Sequence, residues 1–387
     1  MFPRLVGLAI FSLPLLLPFS ATSAAPASAP IIETGEINGA KFALARPAQW
    51  NRHVLLLAHG LRSVDRPLVA ALFPDQLATR TLLNEGWLVA TTSYRRNGPI
   101  VADAIADLDA LRAHLAEKFG APQRVLLEGD SMGGLIVTLM AEREPQTPRL
   151  YHGAIAIGAA LDLREPDSGL AVSFRPQIPL LFLTNQSELD GPRNYVTQDV
   201  IDPAAIRARL FRVSRDGHVN VNQPERLAAI RAVNAWLDRG ASALPPPAPD
   251  ATFFDATVAP APQPSQVVAH ADHRGFDARV VEVSAVYGNV FLNAQPADFA
   301  AAGIGRLTHF MLEVHGQKFR VFHGRDFSSV KRGEWVAFPN ADGFFWLARN
   351  YADAAATAKL SVGDTVTFRR VDEENNPPPK KIPTPAR

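Results

Sequence analysis

Ser131 stands in Gly129-Asp130-Ser131-Met132-Gly133-Gly134, a serine hydroxyl with a glycine two residues away on either side. The apolar run Val125-Leu126-Leu127 precedes it and reads as a buried strand. Leu135, Ile136, Leu139 and Met140 follow at the spacing of a helix face. A strand that turns directly into a helix crowds its own backbone, and residues without a Cβ relieve that crowding. The hydroxyl is then left at the helix N-terminus, where free N–H groups and the positive end of the dipole favour a developing oxyanion. Nucleophilic attack by Ser131 is the chemistry this arrangement supports. Gly-x-Ser-x-Gly also occurs as a plain turn capping a helix, so the flanking strand and helix carry the expectation.

A serine hydroxyl is a weak nucleophile until a base takes its proton, and the base needs a third group to fix its tautomer. The stretch Arg215-Asp216-Gly217-His218-Val219-Asn220 turns at Asp216-Gly217 and presents His218 just before a helix. The rival histidines are placed otherwise: His53 and His152 begin strands, and His114 lies in an amphipathic helix. Two carboxylates, Glu188 and Asp190, follow the apolar strand Leu180-Leu181-Phe182-Leu183-Thr184.

These side chains need a frame. Short alternating runs around Asn38-Gly39 suggest a hairpin over residues 31–46. Continuous apolar strands are expected at 53–58, 87–93, 153–158 and 179–184, and a short one at 211–214. Helices are expected at 74–84, at 101–119 (Val101, Ile105, Leu108, Leu111, Leu115, Phe119), at 204–210 and at 222–240. The last opens with Asn222-Gln223-Pro224-Glu225, the spacing of a capping box. Strands alternating with helices imply an α/β domain, a mostly parallel sheet with helices on both faces.

The whole chain of 387 residues is long enough for two domains, and 47% apolar residues suffice for a sizeable core. A net charge of +1 with both signs mixed does not point to nucleic acid. There is no cysteine, which excludes disulfides and thiol catalysis. Arg4, the apolar block Leu5 to Phe19 and the small residues Ala21-Thr22-Ser23-Ala24 have the order of a secretory signal over residues 1–24. The block is short and broken by Pro14 and Pro18, whereas a span needs about 20 apolar residues. The mature chain is therefore expected to be exported, periplasmic or secreted, with no integral membrane span.

His59-Gly60 after an early strand, Gly-Asp-Ser-Met-Gly-Gly at the turn, an acid after a late strand and a His before the last helix follow one another in a fixed order. In this order residues ~31–240 resemble an α/β-hydrolase domain. The resemblance implies Ser131 as nucleophile, His218 as base and an acid beyond the strand ending at Thr184. Relatives often carry a proline four residues after that acid, which favours Glu188 (with Pro192) over Asp190; either carboxylate remains open. It also implies an oxyanion hole from the N–H groups of Met132 and Leu61, with His59 a structural residue of its loop. The stretch Ala159 to Ile178 is too short for a large helical cap, so an open site is expected.

Residues 241–266 are rich in Pro and Ala and read as an extended linker, with Phe253-Phe254 packing on a domain face. Residues 267–371 carry short β-branched and aromatic runs broken by Gly, Asn and Asp, the pattern of a smaller all-β, antiparallel barrel domain. Val283 to Asn293, Gly333-Glu334, Asn340 to Ala348, Ala354-Ala355 and Leu360 to Val366 resemble the C-terminal β-barrel of the S-adenosyl-L-methionine hydroxide adenosyltransferase family. Tyr287 stands where that family usually has Phe, and Asp353 where it usually has Asn. The family's N-terminal domain is absent, so no adenosyl chemistry and no cofactor are expected. The barrel is read as an accessory or assembly module, a route to a homo-oligomer. His309, His315 and His323 lack tight ligand spacing, and no metal is expected. The charged, Pro-rich tail 372–387 is expected to be disordered.

The sequence thus leads to an exported serine hydrolase acting on a small-molecule or polymeric carboxylic ester. A serine peptidase, a thioesterase or a non-catalytic envelope binding protein working through the barrel stay as alternatives.

Overall fold

Two sheets divide the strands between them. The computed structural model describes residues 29–143, 149–165, 168–198, 205–246 and 252–371. The signal segment 1–24 and the tail 372–387 lie outside the described residues.

The first sheet is built from β1 (Ile31–Ile37), β2 (Ala40–Arg46), β3 (His53–Ala58), β4 (Leu88–Thr92), β5 (Arg124–Asp130), β6 (Gly153–Ile157), β7 (Leu180–Asn185), β8 (Arg209–Val213) and β9 (Phe254–Asp255). Their spatial order is β1-β2-β4-β3-β5-β6-β7-β8-β9. The β1–β2 hairpin and the β2–β4 pairing are antiparallel; every pairing from β4 through β9 is parallel. This is the mixed, mostly parallel sheet of an α/β-hydrolase-like fold.

Alternate residues of each central strand go to opposite faces. Val54, Leu56, Val125, Leu127, Ala154 and Phe182 pack with α2 (Ala102–Phe119) and α3 (Met132–Ala141). Leu55, Leu126, Ile155, Leu181 and Leu183 pack with α1 (Leu77–Asn84) and with α5 (Gln223–Arg239), which follows α4 (Asp190–Thr197) in the chain. Burial on both faces is why these strands read as unbroken apolar runs rather than alternating ones. Each fully buried Leu or Phe contributes about 1.5–3 kcal/mol. At α5 the Asn222 side chain accepts from Glu225 N–H at 3.0 Å, and the Glu225 carboxylate accepts from Asn222 N–H at 2.8 Å, completing the capping box.

Three expectations need correction. The helix expected over 204–210 is absent from residues 205–208, and β8 already begins at Arg209. Leu210 and Phe211 are buried between β7 and β9, so sheet pairing overrides the local helical pattern. Second, the Pro/Ala-rich stretch is partly built into the sheet, as edge strand β9. Phe254 lies 5.0 Å from the Phe211 ring and Phe253 lies 4.3 Å under the Arg212 guanidinium.

The third concerns the barrel. After β10 (Val268–Ala269) it comprises β11 (Gly275–Val283), β12 (Val290–Leu292), β13 (His309–Val314), β14 (Gln317–His323), β15 (Trp335–Pro339), β16 (Phe345–Arg349) and β17 (Thr365–Arg370). The order β11-β12-β16-β15-β14-β13-β17 closes on itself through β11–β17. One pairing, β14 with β15, is parallel, so the barrel is mixed rather than purely antiparallel. The reason is the connection: residues 324–334 form a crossing loop with a 3-10 turn, not a hairpin. Phe276, Phe299, Phe310, Phe345 and Phe368 fill the interior. The short helices α6 (Pro296–Ala301) and α7 (Ala354–Ala358) sit in its connections.

Candidate active site

β5 ends at Asp130 and α3 starts at Met132, leaving Ser131 alone at the turn with φ 56° and ψ −113°. That conformation falls outside the small left-handed region tolerated by residues with a Cβ. The surroundings hold it. Ser131 N–H donates to the Ile157 carbonyl at 2.8 Å, and its own carbonyl accepts from Ala160 and Leu135 N–H at 3.1 Å each. The flanking glycines are a matter of space. A Cβ on Gly129 would lie 2.1 Å from the Gly133 carbonyl oxygen, and one on Gly133 would lie 1.9 Å from that of Ala58.

His218 sits in the β8–α5 connection. Its Nε2 is 2.8 Å from Ser131 Oγ and its Nδ1 is 2.6 Å from Glu188 Oε2. Glu188 closes a 3-10 turn directly after β7, and its Oε1 accepts from Val219 N–H at 3.3 Å. Asp190 is the first residue of α4, with its side chain fully in solvent and 3.9 Å from Arg193. Of the two candidate carboxylates, it is Glu188 that meets His218.

Two loops are laced together to achieve this. Asn185 Oδ1 accepts from Asn220 N–H at 2.8 Å and its Nδ2 donates to the Asn220 carbonyl at 2.9 Å. Gln186 Nε2 donates to Asp216 Oδ1 at 2.9 Å. Ser187 Oγ accepts from Gly217 N–H at 2.9 Å and lies 3.0 Å from the Gly217 carbonyl. Four successive residues, from Asn185 at the end of β7 to Glu188, thus each bond the 216–220 turn, Glu188 through both His218 and Val219. The lacing offsets local strain: Val219, a β-branched residue, has φ 53°. Residues 185–187 and 220 were not singled out from the sequence; a run of Asn-Gln-Ser immediately after a buried strand was the available signal.

Burial pulls the His218 pKa down, but the Glu188 hydrogen bond and charge outweigh it, aided by Asp326 and Asp130, and the net shift is upward. His59 behaves in the opposite way. Burial and Arg62 lower it to about 3, so it stays neutral. Its ring nitrogens lie 2.7 Å from the Gly60 carbonyl and 3.0 Å from that of Ser93, tying the loop after β3 to β4. That loop lies against the turn, since a Cβ on Gly60 would be 3.2 Å from Ser131 Cβ. Leu61 N–H has no acceptor among the described residues, and Met132 N–H is one of the unpaired donors of the first turn of α3.

Among the described residues no three potential metal ligands converge. His315 lies 3.7 Å from Asp364, and His323 is buried with Nδ1 3.0 Å from the Gly305 carbonyl.

No helical element covers Ser131 from the described residues between β6 and β7, and the His218 side chain is 39% exposed. The barrel nevertheless reaches the site. Arg66, in the loop after β3, has Nη1 2.5 Å from Asp353 Oδ2, Nε 3.1 Å from the Val286 carbonyl and Nη2 3.3 Å from that of Ala285. Asn220 Nδ2 donates to the Pro339 carbonyl at 3.2 Å, and Arg306 Nη2 donates to Asp216 Oδ2 at 3.3 Å. Tyr287 is 43% exposed as a residue, but desolvation of its hydroxyl end raises its pKa against the opposing pull of Arg62, the residue next to Leu61. Tyr287 and Asp353, the two departures from the barrel pattern noted in the sequence, both face the loop of residues 62–66.

Residues 279–367 match the model of the SAM hydroxide adenosyltransferase C-terminal domain. No curated protein matches the chain. Among solved structures, an uncharacterized conserved protein from Thermotoga maritima is 23% identical, with a TM-score of 0.26 over 36% of this chain; the match spans about half of that protein, 49%. Est1E from Butyrivibrio proteoclasticus is 13% identical with a TM-score of 0.37, covering 55% of this chain and 99% of that one. The Pyrococcus furiosus esterase Pf2001 is 16% identical with a TM-score of 0.37, covering 56% and 90%. The chain joins an α/β-hydrolase-like sheet domain to a β-barrel of the SAM hydroxide adenosyltransferase C-terminal type.

Proposed function

We propose that this chain is an exported serine hydrolase acting on carboxylic esters. The observation that carries the proposal is the unbroken hydrogen-bonded line from Glu188 through His218 to Ser131. Ser131 Oγ attacks the ester carbonyl carbon while His218 Nε2 takes the hydroxyl proton. Glu188 holds Nδ1–H and stabilises the imidazolium. The Leu61 and Met132 N–H groups receive the oxyanion. Collapse of the tetrahedral intermediate expels the alkoxide, which takes the proton from His218 and leaves an acyl-Ser131. Water, deprotonated by His218, then attacks the acyl carbon; the bond to Ser131 Oγ breaks, Oγ takes the proton back from His218, and the acid is released. The same steps would serve an amide or a thioester, so a substrate panel should include all three classes. Export rests on the charged, apolar and small-residue order of residues 1–24; no helix among the described residues is long and apolar enough to cross a membrane.

The direct test is labelling by a fluorophosphonate probe. The folded chain should label, and Ser131→Ala should not. Equal labelling of both, or a folded chain that stays unlabelled, would refute an activated Ser131.

The pH profile should carry the same signature. Only neutral His218 can take the proton, so kcat/KM should rise as His218 deprotonates, with a midpoint above the ordinary imidazole value of about 6.5. Asp326→Asn removes a negative charge that favours the imidazolium, so it should move the midpoint down. A profile that is flat between about pH 5 and 9 would contradict a His base.

A further inference from the structure

The hydrogen bonds between the barrel and the sheet domain fall on few residues. Among the described residues they include those to Arg66, Asp216 and Asn220, and Tyr287 of the barrel meets Arg62 of the same loop as Arg66. Arg66 belongs to the loop after β3, and Asp216 and Asn220 to the loop after β8. These are the loops on either side of Ser131, one carrying Leu61 and the other His218. Each contact is also transmitted inward. Arg66 N–H closes a turn on the Ser63 carbonyl at 3.1 Å, its carbonyl accepts from Asn97 Nδ2 at 2.7 Å, and the Arg62 carbonyl accepts from Gly98 N–H at 3.0 Å. Asn220 is only 5% exposed and is bonded simultaneously to Asn185, Asp216 and Pro339.

The Arg66 contact is specific rather than a loose surface pair. One guanidinium uses three nitrogens on three acceptors of the barrel, the arrangement for which its planar fork is suited. Both partners are largely shielded, with side chains 25% and 24% exposed. The acceptors come from two barrel segments, 285–286 and 353, so the contact requires the barrel to be folded.

We propose that the barrel is a wall of the Ser131 site and that Asp353 is a positioning residue for the reaction. Through Arg66 it holds the 61–66 loop, and with it the Leu61 N–H, while Pro339 and Arg306 hold the 216–220 turn that carries His218. The accessory module expected from the sequence thus becomes part of the active site, and the site is incomplete without it. This rests on the proposed role of Ser131.

Asp353→Asn is the informative substitution. Asp353 Oδ1 also caps α7 by accepting from Ala356 N–H at 2.7 Å, and asparagine retains that cap while removing the charge that pairs with Arg66. Arg66→Gln tests the other partner and leaves α7 untouched. In the full chain, both variants should lower kcat on a p-nitrophenyl ester by about tenfold, the scale of a small misplacement of a catalytic group. KM should change less, fluorophosphonate labelling should slow in step with kcat, and the melting temperature should hold. Amide exchange should speed up in residues 59–66. Labelling, kcat and exchange within about twofold of the starting chain for both variants would overturn the clamp while leaving Ser131 as the nucleophile. A starting chain that does not label at all is a different result, and it would defeat the Ser131 assignment itself.

Discussion

Ser131→Ala is expected to lower ester hydrolysis by about 10^4-fold or more, with thermal melting unchanged. Stability should hold because the strain at the turn is in the backbone, φ 56° and ψ −113°, and alanine carries the same Cβ as serine. The backbone bonds that pin the turn, to Ile157, Ala160 and Leu135, do not involve the hydroxyl. What is lost is the one atom placed 2.8 Å from His218 Nε2. His218→Ala should cause a loss of similar size, and combining the two should cost little more, because groups that act as a unit are not additive. Steady-state hydrolysis of an activated ester measures this directly. Retention of more than about one tenth of the activity by Ser131→Ala would remove it as nucleophile.

Glu188→Gln should reduce kcat by about 10^4-fold, and Asp190→Asn by less than about twofold. The carboxylate accepts from His218 Nδ1 at 2.6 Å. A glutamine there can turn its NH2 group toward the ring, which favours the tautomer with the proton on Nε2 and leaves no lone pair for the Ser131 proton. The Asp190 side chain projects fully into solvent and meets only Arg193 at 3.9 Å, a surface pair of small energetic weight. Measuring kcat for the two variants side by side separates the carboxylates. A large loss at Asp190 with little at Glu188 would reassign the acid.

Much of the first domain was legible in the sequence because its signals are local. The apolar runs of β3, β5, β6 and β7, the 3.6-residue period of α2 and the Asn222–Glu225 capping box are each set within a few residues. Where a local pattern competed with a distant partner, the partner prevailed. Residues 204–210 have a helical pattern, but pairing with β7 and β9 makes β8 begin at Arg209. The Pro-rich stretch has no strand signal of its own, yet Phe253 and Phe254 find Arg212 and Phe211 and add β9 to the sheet. In the barrel, the mixed pairing follows from how β15 crosses to lie beside β14, which composition does not record.

The sequence by itself determined a serine at a glycine-relieved strand-to-helix turn, a histidine turn before a capped helix, and a β-rich second domain. Steric exclusion at Gly129 and Gly133 and short-range periodicity impose these wherever such residues occur. The tertiary structure decided which carboxylate meets His218, because Glu188 and Asp190 are two residues apart and only the 3-10 turn after β7 directs one of them toward the ring. It also decided that the barrel meets the loops after β3 and β8, on either side of Ser131. Arg66 and Asp353 are separated by 287 positions, and a contact of that span leaves no local signature in either segment. It exists only once both domains have folded and the loops after β3 and β8 offer the barrel a guanidinium, a carboxylate and an amide to hold.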